Sequence, residues 1–496
     1  WEKSLKERFP KNFHPRHLKN KNFRISGKVS LYKGYPQVVI YDPKQIEGVP
    51  LLANKIDAIE TNGTFELLIN SPLGVNVSNT TKSPIGKALI NLINSTQKTL
   101  DLAIYGFRNQ PQIYEAICKA KERGVLIRLI TDRSVDGGNY YTCTEDFEKL
   151  VGLAKNDLQV DIKTNQNKGN GSPVSFWPRP IGFLGYPQPV GYSIDEDLAI
   201  IAVHASKEEY PDNSDIMHNK FVISDRFRVW TGSCNLSDTG TGGYNANVAC
   251  LIKSTKVAKH YTEEFDRMYV DGLFHRLKKP QYTNIRVVQL KDNKKLNLGF
   301  CPQDNVVHNS LLPALEGAQK NIDIAMFYLT HKIITAELIN AHLRGVSIRI
   351  IIDGTSASNG YTKHKILRDV GIPVKVENWG GKMHMKAACI DGHQLVLGSM
   401  NWTNAGNWDN DENYIFLESN IDGMLFTRAF NMLWESIPEK CLVEDPDPES
   451  LASPGSTTDG IDNDFNGLID ADDPKSSKEI YNSKKTPPHG FATKSN

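Results

Sequence analysis

Residues 216–225 read IMHNKFVISD and residues 382–391 read KMHMKAACID, and each stretch is followed, six residues on, by Gly-Ser-x-Asn. Both copies keep one spacing of six defined residues. The first supplies His218, Lys220, Asp225, Gly232, Ser233 and Asn235; the second supplies His384, Lys386, Asp391, Gly398, Ser399 and Asn401. Side chains two apart on a strand point to one face, so each His and Lys can present their tips to the same pocket. The Gly-Ser-x-Asn turn adds neutral hydrogen-bond donors. Doubled, the set offers imidazoles, ammoniums, hydroxyls and carboxamides, groups suited to a phosphate oxyanion and to the charge that develops as it reacts.

The duplication extends well beyond these motifs. LDLAIYGF at 100–107 matches IDIAMFYL at 322–329, and ERGVLIRLITD at 122–132 matches LRGVSIRIIID at 343–353. Each copy runs apolar strand, amphipathic helix, Arg-Gly turn, apolar strand, which is the pattern of a parallel sheet covered by helices. An α/β fold of two related halves is predicted. Asp132 and Asp353 are 221 residues apart but His218 and His384 only 166, so the first copy carries 55 extra residues. This insertion includes SFWPRPIGFLGYPQPVGY at 175–192, whose Pro and Gly content excludes a regular helix. It is read either as a loop over the substrate or as an ordinary packed excursion.

Upstream, residues 22–42 alternate polar and apolar about Lys33-Gly34, as expected of a β-hairpin in a small all-β module. The expected organisation is a basic segment with an OB-like β module over 1–62, a first half over 63–275 and a second half over 276–442. A linker and acidic tail rich in Pro, Ser, Asp and Gly is expected over 443–496. With 496 residues, 39% hydrophobic and 23% charged, the chain is neither disordered nor fibrous in composition. No apolar run approaches the roughly 18–20 residues of a membrane-spanning helix. Seven cysteines without a CxxC pair exclude a miniature disulfide scaffold, and Cys234 and Cys389, inside the motifs, are read as small buried residues. The chain begins at Trp1 with neither Met nor a signal sequence, the pattern of a processed precursor or a trimmed chain.

The paired motifs resemble the phospholipase D superfamily, whose signature (HxK, four residues, D, six residues, GSxN) is matched at every defined position in both halves. The resemblance covers roughly 65–440. It implies two βα-rich halves packed pseudo-symmetrically with the active site between them, and a phosphodiesterase acting through a covalent phosphohistidine, in which one imidazole attacks phosphorus and the other protonates the leaving oxygen. No catalytic metal or other cofactor is implied, because Lys220, Lys386, Asn235 and Asn401 would neutralise the developing charge. Glu412 stands where relatives carry a carboxylate that orients a catalytic His, whereas the matching segment YNANVA at 244–249 offers only Asn245 and Asn247. His384, paired with Glu412, is therefore read as the acid and His218 as the nucleophile. Asp225 and Asp391 complete the constellation as braces of the strands, and Ser233 and Ser399 as hydroxyl donors. Both motifs lie in one chain, so a monomer completes the site.

Fold and motif leave the substrate open. A net charge of +1 conceals −10 over 444–474, +4 over 475–496 and +7 over 1–443, with +6 in the first 24 residues. A basic body favours a nucleic acid, DNA ahead of RNA. The hairpin segment GKVSLYKGYPQVVIYDPKQI (27–46) resembles closing strands of OB modules attached to some bacterial nucleases, and Trp177, Phe183, Tyr186, Trp379, Trp402 and Trp408 offer stacking platforms. The alternative is a secreted phospholipase D, with FWPRPIGFLGYP as an apolar rim. Finally, DNDFNGLIDADD at 462–473 carries the oxygen spacing of a calcium loop: Asp462, Asp464, Asn466, Leu468, Asp470 and Asp473 as ligands, with Gly467 at the turn. A structural Ca2+ and a secreted or otherwise extracytoplasmic location are expected from it.

Overall fold

The computed structural model describes residues 58–133, 215–278 and 285–482, the side chains of Tyr140, Tyr141, Cys143, Thr144, Phe147 and Glu148, and the strands at 23–25, 28–32, 35–39, 46–48, 175–176 and 199–203. The chain divides into two compact units, Trp1–Asp57 and Ala58–Asn496. In the first, Lys28–Tyr32 pairs antiparallel with Tyr35–Val39, Tyr32 opposite Tyr35, the strand pairing that the alternation indicates; Lys33-Gly34 lies outside the described residues. Phe23–Ile25 pairs with Ile46–Gly48. Most of the insertion at 175–192, with Trp177, Phe183 and Tyr186, lies outside the described residues.

In the second unit the duplicated sequence becomes two sheets. Strand Thr99–Ile104, helix Pro111–Glu122 and strand Leu126–Arg133 form one parallel crossover. Strand Asn321–Met326, helix Lys332–Leu343 and strand Ser347–Ile352 form its counterpart. Gly124 and Gly345, the glycines of the two Arg-Gly turns, have φ of 78° and 92°, a conformation that favours glycine as a helix gives way to a strand. The motif strands Lys220–Ser224 and Lys386–Ile390 then run antiparallel to the first strand of each crossover.

Alternation along the strands decides what each face meets. Phe221, Ile223, Ala387 and Cys389 enter one core that contains residues of both sheets, while Val222 and Ala388 face separate outer cores beneath the crossover helices. The two sheets thus face one another across a shared core, to which helices Thr255–Tyr269 and Asn420–Ser436 also contribute, while the crossover helices cover the outer faces. Cys234 and Cys389 are buried, and all seven cysteines are free. No helix among the described residues is long and apolar enough to cross a membrane.

The end of the chain departs from the expected linker. Asp445, Asp447, Glu449, Ser450 and Ser456 are buried, and Asp445–Pro446 pairs with Tyr481–Asn482. Asp445 accepts from His364 Nε2 at 3.0 Å and Arg368 at 2.7 Å. Polar composition signals exposure only where no buried partners exist, and here the second half provides them.

Candidate active site

Each motif strand begins where a segment of the other half runs beside it. Met217 bridges Asp411 and Ala246 bridges Met383, both in parallel register. The His218 N–H donates to the Asp411 carbonyl and the His384 N–H to the Ala246 carbonyl, each at 2.9 Å. This exchange decides which side chain orients which imidazole. His218 Nδ1 lies 2.8 and 2.9 Å from the Glu412 carboxyl oxygens, and His384 Nδ1 lies 3.1 Å from Asn247 Oδ1. The expected pairing of Glu412 with His384 is therefore corrected: spacing along the chain placed Glu412 with its own motif, but the backbone bridge carries it to the other.

The serines of the two motifs hold these orienting groups. Ser399 Oγ donates to Glu412 at 2.5 Å and Ser233 Oγ to Asn247 at 2.8 Å, and both serines are wholly buried. They do not line the cavity, contrary to the reading of them as donors to substrate. Asp225 and Asp391 are also removed from the cavity. Asp225 accepts from the backbone N–H groups of Gln97, Lys98 and Thr99, and Asp391 from those of Gln319, Lys320 and Asn321. They brace the turn before each central strand and belong outside the reacting set.

His218, His384, Asn235 and Asn401 converge on one cavity of about 710 Å³, at whose base the imidazoles are 7% and 8% exposed. Asn235 Nδ2 donates to Tyr141 Oη at 2.9 Å, and Asn401 Oδ1 accepts from the Tyr328 N–H at 3.4 Å. Beneath the histidines, Lys220 and Lys386 each donate to the carbonyl of their own His at 2.8 Å. Burial disfavours charge throughout this cluster. It lowers Lys220 to about 7 and Lys386 well below the usual lysine value, and it pushes Glu412 up to about 8. Both imidazoles are held well below 6.5, first by burial and then by the neighbouring lysines. His218 is thus a free base at neutral pH, as a nucleophile must be.

Aromatic rings complete the walls, but not those expected. Trp379 and Trp402 are buried and Trp408 packs on His308 at 6.0 Å; none of the three lines the cavity. Instead Tyr105 lies edge-on to His218 at 5.4 Å and Phe327 tilts against His384 at 5.1 Å. Lys220 and Lys386 sit over the same two rings at 5.4 and 4.8 Å. Tyr105 and Phe327 occupy one position of the repeat, LDLAIYGF and IDIAMFYL, so alignment of the copies carried their signal. Tyr140, 58% exposed, and Tyr328 add further aromatic surface.

The acidic loop at 462–473 borders this cavity, with Asp462, Phe465 and Ile469 in its wall. Of the six residues read as calcium ligands, Asp462, Asp464 and Asp473 meet about Asn466, whereas Asp470 turns to other partners. The Asp470 carboxylate accepts from the N–H groups of Asp459 and Gly460, both at 2.9 Å, and the Lys475 ammonium pairs with Asp464. Asp462 accepts from Asn466 and Gly467 N–H groups, Asn466 donates to Asp473 at 2.6 Å, and the Leu468 N–H donates back to Asn466. Among the described residues no group of three or more His, Cys, Asp or Glu is placed to hold a metal ion.

Comparison with known proteins identifies the family. A family model described as "Cardiolipin synthase, PLD-like domain" matches residues 89–269 and 311–434. The mitochondrial cardiolipin hydrolase of Xenopus laevis is 28% identical over 134 residues, 27% of this chain and 64% of that protein; the human one is 30% identical, covering 27% and 53%. A phospholipase D of Rickettsia typhi is 32% identical over 108 residues, 22% of this chain and 53% of its own. The match thus spans less than two thirds of each of these relatives. Among solved structures, NucT from Helicobacter pylori aligns over 29% of this chain and 98% of its own, with a TM-score of 0.28 and 24% identity. With both family segments present in one chain and their motif residues meeting in one cavity, the protein belongs to the PLD-like domain family.

Proposed function

We propose that the protein is a phosphodiesterase that cleaves single-stranded nucleic acid through a phosphohistidine. The observation that supports the chemistry is the unequal pair of imidazoles at one cavity base, one on a carboxyl group and one on an amide. His218 Nε2 attacks phosphorus as the bond from phosphorus to the leaving oxygen breaks; the anionic phosphodiester, once bound, offsets the burial and lysine charges that depress His384, which then carries the proton it gives that oxygen. Glu412 shares the Nδ1 proton, which leaves Nε2 bare for attack, and becomes the carboxylate that stabilises the positive charge as the ring gains it. Water then attacks the phosphohistidine, His384 takes its proton, and the nitrogen–phosphorus bond breaks to release a phosphate monoester. Lys220, Lys386, Asn235 and Asn401 are the groups beside the non-bridging oxygens. The aromatic surface of Tyr105, Tyr140 and Tyr328 supports a substrate with stackable bases.

A second reading, hydrolysis of phospholipid headgroups, is favoured by the names of the curated relatives and by exposed apolar residues at the mouth: Phe465 is 47% exposed and Ile469 43%. The test offers single-stranded DNA, duplex DNA, RNA and phosphatidylcholine to the wild-type protein. Cleavage of single strands is expected; choline release with all nucleic acids intact would replace this reading by the second. A His384→Ala variant given bis(4-nitrophenyl) phosphate, whose leaving group needs no proton, should accumulate the phosphohistidine because its hydrolysis lacks a base. A His218→Ala variant that retained full activity would refute the mechanism.

A further inference from the structure

The acidic segment is built into the active site. Glu449, wholly buried, accepts from the N–H groups of Asn463 at 2.8 Å and Asp470 at 3.2 Å. The Asn463 carbonyl accepts from Thr355 Oγ1 at 2.6 Å and from Lys382, two residues before His384, at 2.9 Å. The Lys382 ammonium also lies 4.3 Å from the Phe465 ring centre. These contacts hold residues 459–470 against the second half. The first half meets the same segment from the opposite side: Tyr244 Oη donates to Asp459 at 2.7 Å, and Tyr140 and Phe465 stand edge to face at 6.4 Å. The segment therefore crosses from one half to the other at the mouth of the cavity.

We propose that residues 459–470 are a selectivity wall that lets a single flexible phosphodiester strand reach the two imidazoles and keeps a duplex out. The substrate part rests on the nucleic-acid reading above. The cavity, about 710 Å³, falls in the range that encloses a small ligand, and both imidazoles are nearly covered. The scissile phosphate must enter with its neighbours folded around it. A single strand can bend to do so, whereas a duplex stays stiff over about 150 base pairs. Asp459 and Asp462 add negative charge to the wall, which opposes a second phosphate backbone on that side.

Two variants test the wall without altering the groups that react. Glu449→Gln loosens its anchor from behind, and Phe465→Ala trims its face; since Phe465 is 47% exposed, its truncation spares the core. The wild-type protein should cleave a single-stranded oligonucleotide at least about tenfold faster than the duplex of the same sequence, and each variant should shrink that ratio about fivefold. Hydrolysis of bis(4-nitrophenyl) phosphate by Glu449→Gln should stay close to wild type. Equal cleavage of both forms by wild type, or an unchanged ratio in folded variants, overturns the wall. If wild type hydrolyses the small diester but no nucleic acid, the substrate reading fails instead. The variants are then compared on dispersed short-chain and vesicle-borne phosphatidylglycerol: a reduced preference for dispersed lipid upholds the wall, and an unchanged one overturns it.

Discussion

His218 and His384 stand in the same motif, yet their environments give them different chemistry. A carboxyl group on Nδ1 supports the positive charge that a phosphorylated imidazole carries, so the proposal of His218 as nucleophile stands on a different reason from the one the chain offered. Replacement of Glu412 by Gln should lower kcat roughly 10²-fold or more with little change in KM, because the amide holds the ring but cannot become the carboxylate that offsets a phosphorylated imidazole. The pH profile follows from burial. Lys220, lowered to about 7, is cationic only below that value, and His218, held below 6.5, is a free base above its lowered value. The kcat/KM of the free enzyme should therefore fall as pH rises through about 7, and its acid limb should lie under the usual histidine value. Arginine stays protonated throughout this range, so Lys220→Arg should move the alkaline limb upward. A profile flat from neutral to pH 9, measured with bis(4-nitrophenyl) phosphate, would contradict this account.

The motif strands owe their position to turns as much as to pairing. Asp225 and Asp391 have φ of 53° and 52°, a left-handed conformation that Asp tolerates better than most residues, and each gathers three backbone N–H groups. Replacement of Asp391 by Ala leaves those donors unsatisfied and should cost about 1–3 kcal/mol of stability by chemical denaturation. Activity per folded molecule should be retained, because the side chain is absent from the cavity. Loss of activity in a fully folded Asp391→Ala protein would return this residue to the reacting set.

Across the whole molecule the charge is divided differently from the sequence average. Residues 1–57 carry twelve Lys or Arg and five Asp or Glu, a net +7, while 58–443 sum to zero. The positive excess therefore belongs to the first unit and not to the body that holds the histidines. For a single strand, the slope of log affinity against log salt falls by about 0.7 for every phosphate that the protein ceases to neutralise. Replacing Lys3, Lys6, Arg8 and Lys11 by glutamine should flatten that slope for a single-stranded oligonucleotide while hydrolysis of a small neutral-bodied diester stays unchanged. An unchanged slope would remove the first unit from substrate capture.

Duplication, the α/β pattern and the two sets of His, Lys and Asn were legible in the chain because each rests on local spacing: alternate residues share a strand face wherever the strand lies. The antiparallel pairing of 28–32 with 35–39 was legible for the same reason. Pairing across the halves was not, since no local rule brings Glu412 beside His218, 194 residues away, or Asn247 beside His384, 137 residues away. Nor could polarity alone show that 445–473 packs into the second half, where buried partners such as His364, Arg368 and Thr355 satisfy its polar groups. The sequence by itself determined the family and the two sets of motif residues. Only the tertiary structure decided which group orients which imidazole and what walls the cavity, because both depend on contacts between segments that are remote along the chain.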